Sequence, residues 1–387
     1  MTFSRSLYLA TAAALAFVGC SSLSVKPSDG VDAWPISGAD VARSSRTEYR
    51  IDPPLHKVWE FDLGAGTGAG SALVSGPVAF VGTRKGQLLA VDLQRGKRVG
   101  RARFDVPIEG GMAFAGRTLL VAGSKRRSAI QGIDVTRGKV LWKVATSSVD
   151  GGVLALDSLV VFVDAGATLR VLDAATGSER WAHPLDTLAY VIGAPASDGV
   201  AVYVANEEGV VFAVDVLRRQ RLWRAALDAP VYQSLAVGGG VVFVPTTRGR
   251  LIGLDARSGQ RRWEVATPDS TVRFAPPAFD AAEHVIVAGA TDGKLRAIGV
   301  DSGEVLWDAD LGAPVVVAPL VTARTIYAGT LDRRLVALDR RSGLSLWEYE
   351  MPGRVQSALA ASEETILVLS EPQRLIAFRV AEEEQAE

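Results

Sequence analysis

The sequence predicts an all-β fold, an eight-bladed β-propeller of four-stranded antiparallel blades. Three observations predict it. A nine-residue phrase, Asp-x-x-x-Gly-x-x-x-Trp, recurs with a period of about 40 residues. Each copy follows an alternating apolar run and, further back, a β-branched run, with Gly-bearing turns between them. Finally, half of a repeat is left over at each end of the chain.

The phrase is complete at Asp134-Gly138-Trp142, Asp173-Gly177-Trp181, Asp255-Gly259-Trp263 and Asp339-Gly343-Trp347. Asp215-Arg219-Trp223 lacks the glycine, Gly299-Gly303-Trp307 the aspartate, and Asp92-Gly96-Gly100 the tryptophan. The aspartate can accept hydrogen bonds from turn N–H groups two or three residues on. The glycine supplies the left-handed conformation of a tight hairpin. The tryptophan, a ring burying roughly 150–250 Å², makes a wedge between neighbouring sheets.

The left-over halves complete each other. Leu375–Val380 repeats the strand that precedes the phrase, with no tryptophan strand after it. Lys57–Leu63 supplies such a strand, with Trp59 in register, and nothing before it. Pairing the N-terminal strand (about 57–63) with the C-terminal one (about 375–380) closes eight blades and leaves no open sheet edge. Trp59, Trp142, Trp181, Trp223, Trp263, Trp307 and Trp347 are then blade-docking residues.

Residues 1–19 read as an export signal: Arg5, the apolar run Leu7–Val18, and Gly19 before Cys20. Such a run is too short to span a bilayer permanently. Residues 20–50 are expected to form a flexible tether and lead-in, 51–380 the propeller, and 381–387 an acidic tail. With one cysteine, no internal disulfide supports the fold. A formal net charge of −1 gives no strongly basic field, which argues against nucleic acid as a partner. The three histidines, His56, His183 and His284, fall in different blades without metal-ligand spacing. The glycine-rich run Gly64–Gly70 leads into a strand, so it lacks the helix N-terminus of a phosphate loop. No catalytic, cofactor-binding or metal residue is assigned.

The stretch Leu169–Trp181 resembles the repeat of pyrroloquinoline-quinone (PQQ)-type propellers, and Trp34-Pro35 with Gly38, Asp40 and Arg43 is similar to the segment preceding many of them. The quinoprotein dehydrogenases of that fold hold the quinone under a ring of two adjacent half-cystines, beside a calcium cluster. This chain has no cysteine pair, so a quinone-dependent dehydrogenase is the remote alternative. The apolar run ending in Gly19-Cys20 resembles a lipoprotein signal, which implies a lipidated Cys20. Ser21 after it implies sorting to the outer membrane, facing the periplasm. Together these features resemble the BamB family of outer-membrane protein assembly factors. That resemblance implies a non-catalytic, monomeric scaffold for a protein partner, possessing no cofactor. Where the family usually carries Ser-Leu-Arg-Gly entering blade four, this chain has Leu188–Ala194, and an acidic stretch entering blade five is replaced by Val231–Leu235. A ligand-binding or sensory propeller is the other alternative.

In propellers the inter-blade connections and the hairpins between second and third strands share one face. That rule gathers Asp150, Tyr190, Tyr232, Gln233, Arg273, Phe274, Arg354 and Gln356 beside Arg84, Lys85, Arg126, Arg127, Glu207 and Glu208 as the expected partner-binding face. Cations in blades one and two against carboxylates in blades three and four could orient a partner.

Overall fold

The computed structural model describes residues 23–25, 34–68, 70, 72–104, 107–123, 130–185 and 189–381. They form eight four-stranded antiparallel sheets and contain no helix. Blade five is representative: Ala236–Gly238, Val241–Pro245, Arg250–Asp255 and Arg261–Ala266 run from the axis to the rim. The second and third strands are almost wholly buried, because both faces of each sheet pack on neighbouring blades. The outer strand is wet, so only its tryptophan and one or two partners turn inward.

Ring closure follows the expected pairing. Leu55–Asp62 lies antiparallel to Arg374–Val380 with Trp59 opposite Ala377, and Ala360–Ser362 and Thr365–Ser370 complete blade eight. The phrase builds the turn into each outer strand. In blade three the Asp173 carboxylate accepts from the N–H groups of Ala175 and Thr176 at 3.1 and 2.9 Å, and Gly177 sits at φ +71°. A bulge between Val171 and Leu172 then resets the register so that Trp181 faces the next blade.

The tryptophans pin each blade to its successor. In five seams the indole N–H donates to the carbonyl one residue past the start of the next blade's phrase: Trp59 to Leu93, Trp142 to Ala174, Trp181 to Val216, Trp223 to Ala256 and Trp263 to Val300. The seam between blades one and two has Gly100 where the indole would stand. There the N–H of Val25 takes the hydrogen bond, donating to Val135 O at 3.0 Å. Leu23 fills the ring's place, since a Cβ on Gly100 would lie 2.9 Å from its Cδ1. Leu23 and Val25 are buried. This corrects the expectation of a flexible tether for these residues: an apolar vacancy in a seam captures the nearest apolar side chains available. Cys20 and the acidic tail from residue 382 lie outside the described residues.

Residues 34–54 depart from the expected boundary at 51, for they are welded to the ring as a strap. Trp34 bridges to Val74 in blade one, and Pro35 O accepts from Phe114 N in blade two. Val41, Ala42, Ser44 and Ser45 offer their carbonyls in turn to Ser197, Val237, Phe279 and Val321, in blades four to seven. Pro54 O accepts from Ala381 N at the end of blade eight. The contacts in blades one, two and four to seven satisfy inner-strand edge groups that would otherwise face the channel unpaired. Trp34 is fully buried, and Arg46 reaches the fully buried Asp280 carboxylate at 3.1 Å.

Candidate functional site

The face opposite the strap is a continuous ring of loops. At seven blades the hairpin between second and third strands donates a backbone hydrogen bond to the incoming inter-blade connection. The pairs are Arg84 to Gly66, Ala165 to Ser148, Glu207 to Tyr190, Thr247 to Pro230, Thr291 to Arg273, Leu331 to Pro314 and Glu371 to Arg354. The two classes of loop are thereby set side by side, which fixes the height of their side chains relative to one another.

Asp150, Tyr190, Tyr232, Arg273, Arg354, Gln356, Arg84, Lys85 and Glu208 are exposed on this ring, and Glu207 is half-buried. The Glu207 carboxylate accepts from the Tyr190 N–H at 3.3 Å, and Gln356 donates to the Glu371 carboxylate at 3.3 Å. Gln233 is half-buried and turns to the channel mouth. Phe274 is a correction: at 1% exposure it lies beneath the Arg296 guanidinium, 5.6 Å from the ring centroid, and cannot meet a partner. It alternates with the exposed Arg273, so its apolar side turns into the blade. Arg126 and Arg127 lie outside the described residues. Asp164, in the hairpin between the second and third strands of blade three, is also consumed internally. Burial pushes its carboxyl up, but hydrogen bonds from Arg170 at 2.7 Å and Thr146 at 2.8 Å outweigh that and hold it below its ordinary value.

Sequence reasoning missed Ile192. It is 41% exposed, two residues from Tyr190 at 53%, while Tyr232 on the next connection is 41% exposed. An apolar residue two positions from an aromatic, in a segment with no strand partner, was the available signal.

At the axis a cavity of about 230 Å³ is lined by Arg43, Gln233, Pro276, Pro277, Val317 and Gln356, among others. Arg43 closes its floor. Burial pushes the guanidinium down to about 10, against the opposing pull of Asp40. Its Nε donates to Pro195 O and its Nη1 to Ser37 O, both at 2.7 Å, so two of its five N–H donors are held by the backbone. Among the described residues, no three His, Cys, Asp or Glu side chains gather in a way that could hold a metal ion.

A family model described as "Outer membrane protein assembly factor BamB" matches residues 49–187, 126–275 and 273–385. The chain belongs to the BamB family. The BamB of Bordetella pertussis is 26% identical over 230 residues, 57% of this chain and 59% of that protein. This stretch therefore spans less than two thirds of the relative's own length. The BamB of Yersinia pestis is 27% identical over 310 residues, 71% of this chain and 76% of the relative. A quinohemoprotein alcohol dehydrogenase from Pseudomonas putida HK5 superposes with a TM-score of 0.75 at 12% identity, covering 92% of this chain and 82% of that one. At that identity the likeness shows a shared propeller and nothing of chemistry. In this BamB-family chain the connections entering blades four and five present Tyr190, Ile192 and Tyr232, so the exposed apolar side chains on the loop face cluster around blade four.

Proposed function

We propose that the protein is a non-catalytic scaffold, anchored through a lipidated Cys20 at the periplasmic side of the outer membrane. Its loop face would hold a protein partner in outer-membrane β-barrel assembly. The observation that carries this reading is the exposed group Tyr190, Ile192 and Tyr232, bordered by Glu207 and Glu208, on the one face the strap leaves open. Aromatic side chains with a charged rim are the anatomy of a protein-binding patch. Family membership supports the assembly role. The site's chemistry agrees with a scaffold, because the charged groups on this face are dispersed around the ring and do not converge on a reacting centre.

A second reading, ligand binding at the channel mouth, draws on the axial cavity and its polar groups Gln233 and Gln356. At about 230 Å³ that cavity is smaller than the roughly 300–1,000 Å³ of small-molecule sites. The scaffold reading is preferred on that ground.

A photo-crosslinking side chain placed at Tyr190 or at Tyr232 tests it in whole cells. Adducts containing a barrel-assembly component are expected from both positions, and none from Arg257 on the opposite face. Adducts from the loop face that never include such a component would sink the assembly role.

A further inference from the structure

The rim of the ring is formed by the outer strands, and unpaired positive charge is unevenly spread around the circumference. In blade one the outer strand Arg98–Arg103 carries three arginines and no carboxylate, and in blade two Lys139–Val144 carries two lysines and no carboxylate. On the far side, Val305–Asp310 and Ser345–Glu350 of blades six and seven each carry two carboxylates and no cation, and Asp308, Glu348 and Glu350 are ion-paired with Lys294, Arg334 and Arg333. Exposed apolar side chains do not distinguish the two sides: Val99, Val140 and Leu141 stand out on one, Leu306 and Leu346 on the other. Unpaired positive charge does. Lys97, Arg98, Arg101, Arg103, Lys139 and Lys143 have no ion-pair partner among the described residues, whereas Arg261 and Arg262 of blade five are paired. The outer strand of blade four also carries two arginines and no carboxylate, but its Arg224 lies over the Phe212 ring and the N-terminal segment does not dock there.

The same two blades receive the N-terminal segment. Leu23 and Val25 are locked into their shared seam, and Leu23 follows Cys20 by three residues, a reach of roughly 10 Å at full extension. We propose that the basic rim of blades one and two lies against anionic phospholipid headgroups, with the docked segment holding the ring edge-on to the bilayer. The proposal rests on the reading of Cys20 as lipidated. A lipid attached there brings this edge of the ring to the membrane surface, where attraction to anionic lipid is least screened. A polybasic surface beside an acyl anchor is the second signal that makes anchoring stable. Blades six and seven, whose rim carboxylates are mostly ion-paired, then face away from the membrane, and the loop face stands perpendicular to the bilayer, open to a partner.

The test separates the rim from the lipid. The mature chain carrying Cys20→Ser is floated with vesicles of phosphatidylethanolamine plus phosphatidylglycerol, and with vesicles of phosphatidylcholine alone. Binding to the anionic vesicles only is expected, lost at about 0.5 M salt. The pair Arg98→Glu with Lys139→Glu should lower the anionic partition by roughly tenfold or more, while Arg257→Glu with Arg324→Glu, the same charge change elsewhere, should lower it less than about twofold. Thermal melts of both pairs confirm that they fold. No binding to anionic vesicles, or equal losses from the two pairs, overturns the proposal and leaves the rim to solvent or to an acidic protein. Labelled palmitate on the wild-type chain in cells reads the lipid independently. Its absence would remove the anchor reading and leave the vesicle result to stand or fall alone.

Discussion

Gly259 shows why the repeat keeps glycine at the fifth position of the phrase. Its φ of +72° is one reason, and the indole of Trp223 is a second: a Cβ there would lie 2.6 Å from the ring. The same overlap recurs for Gly96 under Trp59, Gly177 under Trp142, Gly303 under Trp263 and Gly343 under Trp307. Turn chemistry alone would tolerate Asn at such positions, and the stacking forbids it. Arg219 is the exception; it holds φ +59° in the seam facing Trp181, which is only half-buried. Gly259→Ala should therefore cost about 2–4 kcal/mol, from the left-handed backbone and the overpacked ring together. Arg219→Gly should raise stability by up to about 1 kcal/mol, since the relief of backbone strain exceeds the entropy returned to the unfolded chain. Urea unfolding of the two variants checks both signs.

At the scale of elements, the segment Leu23–Val25 acts as a tryptophan delivered from elsewhere in the chain. Leu23→Ala should open the first seam and lower stability by about 2–4 kcal/mol. Gly100→Trp introduces the indole the seam lacks, which should compete for Val135 O and expel the segment, making its backbone amides exchange rapidly. In the double variant the loss from Leu23→Ala should largely vanish, a coupling readable from a double-mutant cycle. Losses that simply add would show that the two side chains do not share a site. The strap differs in kind, because it holds the ring through backbone carbonyls that any residue could offer. Its side-chain anchors are fewer: Arg43, at φ +56° with two carbonyls to satisfy, Arg46 on the buried Asp280, and the buried Trp34, Ile36 and Ile51.

For the whole molecule, the phrase aspartates set the response to acid. The Arg180 guanidinium and Thr176 hold Asp173 at about 2, and Arg262 holds Asp255 at about 2, both below the ordinary carboxyl value of 3.8. Asp134 and Asp339 are lowered as well, chiefly by the hydroxyls of Thr136 and Ser342. A depressed carboxyl contributes stability in full above its unfolded value and loses it as pH falls through the folded value. The urea midpoint should hold level down to about pH 4 and drop between about pH 4 and 2. The Asp173→Asn, Asp255→Asn chain should start lower and drop less. An equal drop in both chains would assign acid sensitivity to other carboxyls.

The blade count, the closing pair and the place of the tryptophans could be read from the sequence because each is repeated, and repetition turns a weak local signal into a strong one. Features that occur once could not. Nothing in Leu23-Ser24-Val25 announces a docked segment until Gly100 is seen to leave a vacancy across the seam. The same holds for the strap, whose contacts are backbone bonds. On the loop face the rule of shared loops located Tyr190 and Tyr232, while it took the strand alternation to turn Phe274 inward.

The first seam also differs from the others mechanically. In the five seams joined by an indole hydrogen bond, wedge and carbonyl both belong to the ring, so a pull on either chain terminus does not load them directly. Here the wedge is the chain's own leading segment. Tension applied at the N-terminus therefore enters the ring through the Val25–Val135 hydrogen bond and the Leu23 contact, and a ratchet or motor pulling there would pry apart blades one and two before any other pair.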